Sequence, residues 1–152
     1  MMLDKANVFS DKQSIAAVAS TVLCSKSVDL GSLTEVDSKG NLVLNDIGRS
    51  LIDLFVQITT AVTSGGAATI DFQLIQADDE GLTTNVEVLQ STGALAIAGL
   101  TVGKQIKLGL PPGFTKRYMG LQYVIATATT TAGNVFAALI PNKDARPSNP
   151  TV

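Results

Sequence analysis

From about residue 50 onward the apolar positions of this chain recur every second residue rather than every third or fourth. In Leu51 to Thr60, Ile52, Leu54, Val56 and Ile58 fall on one side, while Asp53, Gln57 and Thr59 share the other with Phe55. A strand with one face on a core produces that alternation. It returns in Thr69 to Ala77, where Ile70, Phe72 and Leu74 oppose Asp71 and Gln73, and in Gln105 to Leu110, where Ile106, Leu108 and Leu110 oppose Gln105 and Lys107. Leu121, Tyr123 and Ile125 against Gln122 predict another strand. Val135 to Ile140 is apolar on both sides, as a central strand or one beneath an interface would be.

Turn signals separate these runs: Ser64-Gly65-Gly66, Asp79-Glu80-Gly81, Thr92-Gly93, Pro111-Pro112-Gly113 and Ala132-Gly133-Asn134. Strand starts near residues 51, 68, 85, 105, 118 and 135, without a convincing helical window, predict an all-β antiparallel jelly-roll sandwich. Ser20 to Leu30 is expected to add a strand and Asn41 to Leu44 a short one, within a polar 31–50 segment holding Gly31, Gly40 and Gly48. Ile15 to Ala19 reads as strand in preference to a short helix, with Asp11 to Gln13 a turn leading into it. Met1, Met2, Leu3, Val8 and Phe9 put large apolar groups in a segment too short to bury them alone. The expected division is therefore an N-terminal arm at 1–16, a sandwich domain at 17–143 and a loose proline-containing tail at 144–152.

Composition sharpens the question of what the apolar excess is for. Only 16% of the 152 residues are charged against 45% hydrophobic, with a mean hydropathy of +0.30, where about 25% charge is usual. Disorder is excluded as the main state, because it needs low hydrophobicity and high charge. No stretch supplies the roughly 20 predominantly apolar residues of a spanning helix. The net charge of −2 and scattered Lys and Arg give no field to attract nucleic acid or an anionic membrane. Met1 to Lys5 lacks the basic and apolar regions of a secretory signal, so the chain is expected to be made and kept in the cytosol, or released from it by lysis.

Catalytic inventory is sparse. Histidine is absent, which removes the usual general base and zinc ligand, and the single Cys24 reads as a small apolar residue in a strand. Asp78-Asp79-Glu80 resembles the start of a calcium loop, but Leu82-Thr83-Thr84-Asn85 provides no further carboxylate; a solvated turn is the expectation. Ala98 to Gln105 lacks the first glycine and the hydroxyl residue of a phosphate loop. Thr129-Thr130-Thr131 has no base beside it and reads as strand-end composition. No cofactor, metal or catalytic residue is expected.

Several weak segments carry a resemblance through their order and spacing. Leu3-Asp4-Lys5 with Phe9-Ser10-Asp11, Val28-Asp29-Leu30-Gly31, Asp46-Ile47-Gly48 and Lys116-Arg117-Tyr118-Met119-Gly120-Leu121-Gln122-Tyr123 resemble the Bbp16-type capsid cement, or decoration, proteins of tailed bacteriophages. Thr131-Ala132-Gly133 and Asn142-Lys143-Asp144 also fall where that family has its closing strand and short charged end. The resemblance implies a jelly-roll fold, no catalysis and a homo-oligomer, dimeric with a trimer as the other possibility. It implies a place on the outside of the head, across neighbouring major capsid subunits, after synthesis in the host cytoplasm. The sequence departs from the pattern between Ser32 and Asn45 and in the tail.

Residues expected at the capsid or self-association interface are Leu3, Val8, Phe9, Phe55, Ile75, Arg117, Tyr118 and Phe136. Arg117 has two readings: a bidentate carboxylate contact across an interface beside the Tyr118 ring, or a cap on a strand that Tyr118 opens. The competing function is a virion jelly roll that binds carbohydrate or another host-surface group, weakened by 5% aromatics and no Trp. A cupin-type enzyme needs metal-binding histidines that this chain lacks.

Overall fold

A computed structural model describes residues 5–31, 38–40 and 52–141. Among them the ordered elements are ten strands and short 3-10 turns, with no α-helix. The strands are β1 (Val8–Ser14), β2 (Thr21–Leu23), β3 (Val28–Asp29), β4 (Ile52–Ser64), β5 (Thr69–Ala77), β6 (Glu87–Ser91), β7 (Leu95–Ala96), β8 (Gln105–Gly109), β9 (Tyr118–Ala126) and β10 (Thr130–Pro141). They form two antiparallel sheets. The first runs β1-β10-β4-β8, and the second β2-β9-β5-β6, with β3 also paired to β9 and β7 to β5.

The alternating runs face each other between the sheets. Leu54, Val56 and Ile58 of β4 meet Ile70, Phe72 and Leu74 of β5 and Leu121, Tyr123 and Ile125 of β9 in one cluster. Phe72 and Tyr123 pack edge to face, with centroids 5.7 Å apart and planes at 78°, an arrangement aromatic quadrupoles favour. β10 is central, bonded to β1 on one side and β4 on the other, which explains its two apolar faces.

Residues 8–16 depart from the expected arm. β1 pairs with β10, and Phe9 and Ile15 are fully buried in the core. Period two does not reveal this strand because its register shifts twice, between Val8 and Ser10 and between Ser10 and Gln13, with Lys12 at a φ of 49°. The first shift lets both Phe9 and Ser10 turn inward. Asp11 to Gln13 is thus inside a strand, and 15–19 follows it outside regular structure. Ser20 to Leu30 splits into β2 and β3, because the chain leaves the ladder after Cys24, whose N–H still bonds the Leu121 carbonyl, and rejoins it at Val28. Ala132-Gly133-Asn134 lies within β10 as a bulge, Gly133 at a φ of 141°. Its added Cβ would crowd Val62 and Ile15. The expected strand at 41–44 and the tail at 144–152 lie outside the described residues.

Candidate interaction surfaces

The eight residues expected at an interface separate into distinct environments. Leu3 lies outside the described residues. Phe9 belongs to this chain's own core, so it is not a free anchor. Ile75 is also fully buried, under a small second cluster with Ala77 and Leu82 on the outer face of the second sheet. The turn after β5 folds back to supply Leu82, held by Asp79, whose carboxylate accepts the backbone N–H groups of Thr83 and Thr84 and the Thr83 hydroxyl. Those bonds, led by the Thr84 N–H, lower the Asp79 pKa to about 2. The Asp78-Asp79-Glu80 run is accordingly a turn that satisfies its own backbone. Sequence reasoning missed Leu82 as the cover for Ile75, since nothing local marks a turn residue at a φ of 57° as a core member.

Arg117 grips Asp29 of the same chain through two hydrogen bonds, Nε at 2.8 Å and Nη2 at 2.7 Å. Its guanidinium lies 5.2 Å from the Tyr118 ring centroid. Tyr118 opens β9 and pairs with Asp29 across the β3 ladder. The expected bidentate geometry is present, but its carboxylate is internal. Arg117 holds Asp29 at a pKa of about 2, with help from the Gly31 N–H, and Asp29 raises that of Arg117.

Phe55, Val8 and Phe136 share the outer face of the first sheet. In the ladders Ala138 is opposite both Val8 and Phe55, Phe136 opposite Gln57, and Ile140 opposite Asp53. Phe55 and Ile140 are already 7% and 8% exposed, so they offer little surface. Val8 and Phe136 are half-buried, and together they line a cavity of about 100 Å³ rimmed by Lys5, Asp11, Ser25 and Lys26. Lys26 reaches the rim because its N–H and the Ser25 hydroxyl both bond the Phe9 carbonyl.

The titratable groups have structural tasks. The Tyr123 hydroxyl shares a 2.7 Å hydrogen bond with Ser10, and burial pushes its pKa up. The Cys24 thiol donates to the Lys26 carbonyl, accepts the Leu121 N–H and is raised by burial. Among the described residues no group of three or more His, Cys, Asp or Glu comes together that would hold a metal ion. A family model described as Bbp16 matches residues 9–140. A search of curated proteins gave no match.

Proposed function

We propose, because this chain belongs to the phage-associated Bbp16 family, that it is a capsid cement protein which binds the outside of the assembled head across neighbouring major capsid subunits. The two strand orders support a jelly-roll reading. With β2–β3 and β6–β7 each counted as one interrupted strand, the sheets run first-eighth-third-sixth and second-seventh-fourth-fifth, the order produced by rolling up a long hairpin. The observation that carries the functional reading is the apolar cavity between Val8 and Phe136 with its charged rim. It offers a place to seat a side chain of the shell.

The physical basis is linkage. A protein that binds the assembled lattice and not separated subunits adds its binding free energy to that of the shell, once for every copy. Apolar contact suits this better than exposed ion pairs, which contribute about 0–1 kcal/mol each. Self-association, as a dimer or trimer, would let one unit span adjoining subunits. The test is co-sedimentation with shells stripped of this protein, comparing the native chain with Phe136→Asp and Val8→Asp. Both variants should keep a cooperative thermal transition and lose at least about tenfold in affinity, or about 1.4 kcal/mol. Undiminished binding of both would overturn the reading.

A further inference from the structure

The margin of the second sheet formed by β6 and β7 is unpaired on its outer side: among the described residues both strands bond only to β5. Such an edge presents a row of backbone N–H and C=O groups to any extended chain. It also carries exposed apolar side chains, Val86 at 39% and Val88 at 51%. Beyond β7 opens a groove of about 260 Å³ lined by Leu95, Ala96, Gly99, Leu100 and Lys104. Val102, 65% exposed, stands in the turn between the last two of these. Lys104 is the charged residue of the lining and makes no ion pair among the described residues. The groove is thus mostly apolar, with one cation and no carboxylate in its lining.

We propose that the β6–β7 edge takes an added strand from a different protein, an extended segment with apolar residues at alternate positions and a carboxylate at the end that reaches Lys104. Backbone pairing supplies affinity in strand addition, and alternate side chains in pockets supply specificity. The Lys104 ammonium selects the acidic end. A second copy of this chain is the poorer occupant. The edge is broken by the register shift at Leu89 and by the turn at Thr92 and Gly93, so two identical edges do not run flush along their length. This inference does not depend on the capsid reading, and the two stand or fall separately.

The test pans a random dodecapeptide library against the immobilised full-length chain. The expected result is enrichment of peptides that alternate apolar residues and end in Asp or Glu. Adding a synthetic copy of an enriched peptide should shift the amide resonances of Glu87–Ser91 and Leu95–Ala96. Lys104→Glu should weaken its binding at least about tenfold, and Val88→Lys, on an exposed site, should do the same. Both variants should keep the thermal transition of the native chain. No enrichment, peptides without an acidic residue, binding indifferent to Lys104→Glu, or a dimer of the free chain abolished by Val88→Lys would each overturn the proposal.

Discussion

Ser10 and Tyr123 are the buried hydroxyls that join the two sheets, and neither announces itself in the sequence. Tyr123 was legible as a core position from its alternation with Gln122, but its partner sits 113 residues away on a strand whose bulges hide its period. Tyr123→Phe keeps the ring on Phe72 and removes one bond, so urea denaturation should show a loss of about 1 kcal/mol. Gly120 is a second such residue. A Cβ there would collide with Leu82 and sit 3.1 Å from the Cys24 sulfur, so Gly120→Ala should displace Leu82, uncover Ile75 and cost about 1–3 kcal/mol in the same assay. Hydrogen-bonded carboxylates contribute to the acid limit, Asp71 among them. Asp79 and Asp29 are both held near a pKa of about 2, below the ordinary 3.8. Ionised forms are favoured by folding, so their stabilisation is complete above the ordinary value and is lost as pH falls from about 4 towards 2. Thermal midpoints should therefore be steady in mildly acidic buffer and fall below pH ~4. In Asp79→Ala that acid-dependent drop should be smaller.

Among the elements, β4, β5, β8 and β9 followed from periodicity, because each alternates apolar and polar positions, and the Val135 to Ile140 part of β10 from its continuous apolar run. The first three strands, β1 to β3, did not. β1 carries two bulges, β2 and β3 are interrupted, and a pattern needs four or more regular residues to be read. The consequence is sharpest for β1. An arm that merely reached outward would leave the sandwich unaffected when removed, whereas Phe9 and Ile15 are fully buried. Phe9→Ala should cost about 3–5 kcal/mol, and deletion of residues 1–9 should lower the thermal midpoint at least as far. An unchanged transition in the deletion variant would mean that β1 contributes nothing to the core. The residues expected at an interface divide for the same reason: surplus apolar groups could be counted, but Phe9 and Ile75 are absorbed by this chain's own bulge and turn. Val8 and Phe136 remain at a cavity.

For the whole molecule, the low charge that distinguishes the composition now divides into parts. Most of the apolar content fills one core between two sheets, and some fills the cluster under Leu82. Among the described residues, further apolar groups lie at the Val8–Phe136 cavity and along the β6–β7 edge, the surfaces proposed for partners, while Val18 stands exposed outside both. Sequence indicated the sandwich and the surplus, since both are sums over many residues. It could not assign the surplus, because that depends on which long-range pairs close. On the cement reading the protein is part of the finished particle and raises its resistance to heat and osmotic shock through many identical contacts. The most direct measurement is an electron cryomicroscopy difference map between phage particles made with and without this protein. The account predicts added density on the outer surface of the head, repeated with the lattice and bridging neighbouring major subunits. Identical maps, or density confined to the interior or the tail, would contradict it.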